Sequence, residues 1–314
     1  MTASRFVATA PARVDLAGGW TDVAPYTTEV GGAVCNIAIE LRAVAEVRAR
    51  PNAPPPRDPL VRAAWQRAGS PSVGVELRSD VPPGSGLGGS SAAGVALAAA
   101  LSAYRGESPD AYALAELSRS TETETLGVPG GCQDHYAAVY GGALLLTCRE
   151  ATTVESIAMT DATIDQFETR AILAFTGESR MSSHTITAVL DAYRDGDART
   201  CASLRTMAAL APAMAAALRD GDIDQLGVLL SQQWTAQRAL HPSITTELID
   251  AIAADTARAG ALGMKALGAS AGGSVLVIAR ADNVSAVRAA VGRHAQLLPL
   301  HVARTGAAVH TLTD

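Results

Sequence analysis

Apolar and polar residues alternate along positions 5–10, 33–48 and 73–77, a period of two that predicts strands with one buried face. From Ser91 the pattern changes. Ala, Val and Leu fill most positions to Tyr104, which predicts a helix buried on several faces and stopped at Gly106. A second helix is predicted with Ser108 as its N-cap and Pro109 in its first turn, running to about Thr125. Residues 171–176 read as a strand, the stretch to about Ala259 as helical, and 274–280 and 307–312 as strands again. Strands and helices alternate without the roughly 30-residue rhythm of repeated parallel βαβ units. The pattern therefore predicts an α+β fold in two domains, 1–167 and 168–314. The Pro-rich stretch 51–59 reads as a connection inside the first.

Composition narrows the function. The chain has 314 residues, 48% of them hydrophobic and 18% charged, which excludes disordered and fibrous classes. Its 25 basic and 31 acidic residues leave a net charge of -6, with no Lys/Arg cluster, so a nucleic-acid partner is not expected. The mean hydropathy is slightly positive, at +0.16, but the apolar stretches are broken by Gly or polar residues and fall short of the roughly 20 needed to span a bilayer. No membrane partner is expected. The N-terminus lacks a signal-like apolar region, and Cys35, Cys132, Cys148 and Cys201 are scattered without a CxxC pair. That favours a cytoplasmic protein without zinc or a disulfide framework.

Chemistry concentrates in the 28 glycines. The sharpest cluster is Pro82-Pro83-Gly84-Ser85-Gly86-Leu87-Gly88-Gly89-Ser90-Ser91, which runs directly into the buried helix. Glycines let several N–H groups converge, and the helix N-terminus adds partial positive charge, so an anion can be held without Lys or Arg. Ser90 and Ser91 add hydroxyls that could ligate Mg²⁺. Gly84, Gly86 and Gly89 also satisfy GxGxxG, but Pro82-Pro83 separates them from the preceding strand and Asp110 begins a helix instead of ending a strand. The P-loop pattern fails for want of GK[ST]. A glycine-rich turn with two capping serines is the remaining plain reading.

The loop is one of three ordered motifs. Residues 10–26 contain Arg13-Val14-Asp15-Leu16-Ala17-Gly18-Gly19-Trp20-Thr21-Asp22, and residues 263–273 read Gly-Met-Lys-Ala-Leu-Gly-Ala-Ser-Ala-Gly-Gly. Together they resemble the signature motifs of the GHMP small-molecule kinases, across essentially the whole chain. The resemblance implies a two-domain fold, with a ribosomal protein S5 domain 2-like N-terminal part and a ferredoxin-like C-terminal part. It also implies an ATP- and Mg²⁺-dependent kinase acting on a small-molecule sugar or sugar phosphate, as a monomer or homodimer. Within the family, 13–22 followed by Gly31-Gly32 is similar to kinases of the anomeric hydroxyl of L-fucose or of D-glycero-D-manno-heptose 7-phosphate. Gly19-Trp20 stand where galactokinases carry Glu-His. Residues 130–138 and 176–182 resemble the heptose-phosphate kinases, whereas Trp20 leans towards fucokinase, so both substrates stay open. A decarboxylase or a nucleotide-binding sensor of the same fold is a further alternative.

The same resemblance assigns roles. Asp134 matches the catalytic aspartate, and Arg13 the cation that keeps it ionised and steadies the transferring phosphoryl group. The segment Pro83, Gly84, Ser85, Gly86, Leu87, Gly88, Gly89, Ser90 and Ser91 would bind ATP phosphates. Glu122, 12 positions before Asp134, matches the Mg²⁺ carboxylate, although Glu124 is close by. Ser90 is the expected magnesium hydroxyl, with Ser91 as the alternative register. Gly19, Trp20, Thr21, Asp22, Gly131 and Asp134 would face the sugar. Arg180 would either grip a sugar phosphate or simply face solvent.

Overall fold

The computed structural model describes residues 4–127, 130–178 and 183–313. Strand β1 (Ser4–Ala17) pairs antiparallel with the long β2 (Gly32–Ala49). The C-terminal part of β2 pairs with β3 (Val73–Ser79), and its N-terminal part with β4 (Ala143–Cys148), which pairs with β5 (Thr152–Ile157). A second, four-stranded antiparallel sheet is formed from β6 (Ala171–Phe175), β7 (Ala261–Ala266), β8 (Ser274–Ala279) and β9 (Gln296–Leu298), in the order β7-β8-β6-β9. The terminal β10 (Ala308–Thr313) returns to cover the free edge of β1. Sheet membership thus changes between β5 and β6, and β10 alone returns to the first sheet.

Strand β1 runs past residue 10, where the alternation predicts its end. Pro11 has no N–H to give the ladder, and the register with β2 shifts there before pairing resumes at Ala12. Beyond the shift, Arg13 and Asp15 fall on the same face, as alternate strand residues do.

Short helix α1 (Tyr26–Glu29) follows the first motif, and α2 (Pro59–Arg67) lies beside α3 (Gly89–Tyr104). Every residue of α3 from Ser91 to Ser102 is buried, which explains its small, uncharged side chains. They let it lie against β1 and β2, with α4 (Ala111–Ser120) and α5 (Gln133–Tyr140) alongside. The N-cap of α4 is Asp110, not Ser108: its carboxylate accepts from Ala113 N at 2.7 Å. A five-residue π-helical turn, Thr121–Thr125, then continues α4.

The second half adds α6 (Asp161–Arg170), α7 (Ser183–Arg194), α8 (Ala198–Asp220), α9 (Ile223–Leu240), α10 (Glu247–Ala259) and α11 (Val284–Gly292). Among the described residues, α8 is the one helix long and apolar enough to cross a bilayer. Its apolar side is already taken up. Leu210, Met214 and Leu218 pack with Val14, Leu16, Ile37 and Ile39 on the face of the first sheet opposite α3. Leu226 and Leu230 of α9 join the same core, which fastens the two halves together by apolar burial.

Candidate functional site

A cavity of about 250 Å³ opens where the three motifs meet, lined by Arg13, Asp15, Gly19, Trp20 and Asp22 from the first, Gly86, Gly88 and Ser91 from the second, and Gly268 and Ala269 from the third. Glu122, Gly131, Gln133, Asp134 and His135 also line it. Close glycine packing brings these elements together. A Cβ on Gly86 would lie 2.7 Å from the Leu267 carbonyl oxygen, and one on Gly268 would lie 3.0 Å from the Gly86 Cα. Ser274 N donates to Ser85 O at 2.8 Å, fixing the third motif to the phosphate-loop candidate.

Arg13 links loop and aspartate. Its Nε and Nη2 reach Asp134 Oδ1 at 2.7 and 2.6 Å, while Nη1 donates to Gly86 O at 2.8 Å. The guanidinium is 4% exposed and Asp134 24%, so the carboxylate keeps an open side towards the cavity. The cation also fixes the loop through its backbone, with Arg13 N donating to Leu87 O at 3.0 Å.

Gly88 caps α3 in the left-handed region, φ 74°, turning the loop so that the helix N-terminus points into the site. Ser91 in the first turn donates to Glu122 Oε2 at 3.1 Å. His135 Nε2 stands 3.1 Å from the same oxygen, and its Nδ1 is 3.0 Å from Ser118 Oγ. With Ser118 donating, Nε2 carries the proton that faces Glu122. Burial alone would raise the Glu122 carboxyl, but the hydrogen bonds from His135 and from the hydroxyls of Ser91 and Ser90 hold it below its ordinary value. An ionised carboxylate beside a serine hydroxyl is a hard-oxygen donor set of the kind Mg²⁺ takes together with phosphate and water.

Asp22 is a different carboxylate. It accepts from Gln133 N at 3.1 Å, yet burial, reinforced by the nearby charges of Asp134 and Asp15, pushes its pKa from 3.8 to about 6. Three glycines make room for the three cavity aspartates. A Cβ would come within 1.9 Å of Asp22 Oδ2 from Gly131, 2.5 Å of Asp15 Oδ2 from Gly19 and 3.1 Å of Asp134 Oδ2 from Gly88.

The expected residues do not all reach the cavity. Thr21 is fully buried, and its hydroxyl donates to Gly18 O at 2.6 Å, so it shapes the loop instead of facing a ligand. Leu87 and Ser85 are buried, leaving their main chain to serve the loop. Pro83, Gly84 and Ser90 are exposed, and with Gly89 they stand outside the cavity lining. Ser91, the alternative register, is the serine on the wall. Arg180 lies outside the described residues. Asp15, Gln133 and Lys265 were not singled out, and only Asp15 left a local signal: a second charge, two residues after Arg13, in an otherwise apolar strand. The cysteines scattered in sequence include one close pair, Cys132 and Cys148, with sulfurs 3.4 Å apart and both thiols free.

Comparison with known proteins gives the family. Residues 59–142 match the model of the GHMP kinases N-terminal domain and 214–296 that of the GHMP kinases C-terminal domain. A galactokinase of Mycobacterium tuberculosis is 32% identical over 262 residues, covering 74% of this chain and 72% of the relative. The chain belongs to the GHMP kinase family. An Arabidopsis thaliana bifunctional fucokinase/GDP-fucose pyrophosphorylase is 25% identical over 91% of this chain, which spans only 31% of that longer protein. A D-glycero-alpha-D-manno-heptose 7-phosphate kinase of Campylobacter jejuni is 29% identical over 64% of this chain and 60% of its own length. The crystal structure of a D-glycero-D-manno-heptose 1-phosphate kinase from Bacteroides thetaiotaomicron shares the fold, with a TM-score of 0.79 at 22% identity, covering 98% of this chain and 100% of the other.

Proposed function

We propose that this chain transfers a phosphoryl group from ATP to the anomeric hydroxyl of a sugar, with D-glycero-D-manno-heptose 7-phosphate or a related heptose as the preferred acceptor. The observation that carries the reading is the ion pair of Arg13 and Asp134, set between a glycine-rich helix N-terminus and the cavity. Phosphoryl transfer asks a protein to align two oxygens and neutralise charge on the moving group. Asp134 accepts the proton of the sugar hydroxyl as that oxygen bonds to the terminal phosphorus and the bond to ADP breaks. Arg13 stays charged throughout and holds Asp134 beside Gly86. Backbone N–H groups from Gly86 to Ser91 face the phosphates, and Asp22 accepts sugar hydroxyls. Ser91 and Glu122 would hold Mg²⁺, with Ser90 able to approach the same carboxylate. Held there, Mg²⁺ would supply positive charge against the phosphates.

The heptose kinase relative supports the heptose, as does the Gly130-Gly131 stretch beside Asp22. Trp20, which resembles the fucokinases at this position and lines the cavity, favours a second reading, L-fucose, as does the fucokinase relative. A coupled ADP-release assay with the heptose 7-phosphate, L-fucose and galactose tests both. A clear preference for L-fucose overturns the heptose assignment, and no turnover despite ATP binding favours a sensor. Dependence on ATP and four free thiols fit a cytoplasmic setting.

A further inference from the structure

Lys265 on β7 and Asp15 on β1 belong to different sheets and are 250 positions apart, yet they form the most buried ion pair described. Lys265 Nζ donates to Asp15 Oδ2 at 2.7 Å and to the Asp15 carbonyl oxygen at 2.8 Å. The side chains are 0% and 3% exposed, respectively. Removing two such charges from water carries a penalty of several kcal/mol per ion, and well-packed apolar residues often serve stability as well or better. Stability is therefore a poor explanation for the pair.

The other carboxylate oxygen supplies a better one. Asp15 Oδ1 is buried and has no hydrogen-bond partner among the described residues, while Asp15 lines the cavity with Asp22 and Asp134. Gly19 leaves the carboxylate its space, since a Cβ there would lie 2.5 Å from Oδ2. Lys265 thus occupies one oxygen and leaves its twin for a donor entering the cavity.

We propose that Asp15 is a substrate-specificity residue whose Oδ1 accepts a hydrogen bond from one sugar hydroxyl, with Lys265 as the positioning residue that fixes the carboxylate from the second sheet. An ionised carboxylate only accepts hydrogen bonds, so this position selects a hydroxyl and rejects an anionic oxygen. Any phosphate already on the sugar must then lie away from the wall formed by Asp15 and Asp22.

The inference rests on the sugar-kinase reading, and its test separates the two. Wild type, Asp15→Asn and the double variant Asp15→Asn/Lys265→Met are compared as full chains. The double variant removes both charges, so neither is left buried alone, and Asp15→Asn retains an oxygen for Lys265 if the double variant does not fold. For the best of the three sugars and each of its single-deoxy analogues, kcat/KM is measured. Wild type should disfavour one analogue by roughly 10- to 100-fold, the range for a hydrogen bond to a charged group. That ratio should collapse in the variants at the same hydroxyl and persist at the others, a pattern that a merely structural pair would not produce. Ratios unchanged at every position in an active variant overturn the Asp15 assignment alone. Failure of wild type to phosphorylate any sugar overturns the sugar-kinase reading and this assignment with it.

Discussion

Replacing Asp22 by Asn should stabilise the ligand-free protein at neutral pH while impairing its use of sugar. Burial raises the carboxyl from its ordinary 3.8 to about 6, so the folded state holds this proton more tightly than the unfolded chain. Between those values the folded state binds more protons, and stability falls as pH rises. Above about pH 6 the penalty is complete. At 1.36 kcal/mol for each tenfold change in proton affinity, it amounts to about 3 kcal/mol. Asn has nearly the same shape, can still accept from Gln133 N, and carries no charge. Urea unfolding should therefore show Asp22→Asn more stable than wild type by up to about 3 kcal/mol at pH 7.5, with the gap closing towards pH 4. The same carboxyl must be ionised to accept sugar hydroxyls, so wild-type kcat/KM should decline below about pH 6. A stability gap that is independent of pH, or a variant less stable than wild type at pH 7.5, would refute the reasoning.

Asp134→Asn should reduce turnover by roughly 10²- to 10⁴-fold, the range for losing a general base, while fluorescence titration with an ATP analogue shows little change in affinity. Gly131→Ala places a Cβ 1.9 Å from Asp22 Oδ2 and should displace that carboxylate, raising KM for the sugar at least roughly tenfold. Steady-state kinetics at saturating ATP checks this, with an expected fall in stability of roughly 1–3 kcal/mol in urea unfolding. Glu122→Gln should raise the Mg²⁺ concentration for half-maximal turnover by at least roughly tenfold, a scale that even outer partners of metals reach. Mn²⁺ titration by water-proton relaxation, with ADP present, measures the same loss without turnover.

Local physics made the frame of this protein readable. A long run of mostly small apolar residues exceeds strand length and reads as a buried helix, and glycines ahead of it announce a tight loop, so α3 and its N-terminus were visible at once. Strand β1 was read too short because Pro11 interrupts the ladder without ending it, a distinction that depends on the partner strand. The cap of α4 was misplaced because Ser108 and Asp110 both qualify chemically, and only the fold shows which side chain reaches the Ala113 amide. In the site, Arg13, Asp134 and Glu122 were found through motif resemblance. Of the two serines the resemblance favoured Ser90, whereas Ser91 is the one on the cavity wall, a difference of one step around the helix. Lys265 and Asp15 were invisible as a pair because nothing in either neighbourhood encodes a partner 250 positions away.

The three glycines packed against the three cavity aspartates have a consequence for how this site can change with descent. Gly19 and Gly131 leave no room for a side chain while Asp15 and Asp22 stand where they do, and at Gly88 a Cβ would press on Asp134 from a left-handed backbone. Each glycine and its aspartate should therefore change together, although only Gly19 and Asp15 are near neighbours in the sequence. A drifting sequence can enlarge a glycine only after its acid has shortened or turned away, and a lost acid can return only while its glycine persists. Acceptor preference should accordingly shift in paired steps, and a gene tree of such enzymes should record glycine and acid changing on the same branches.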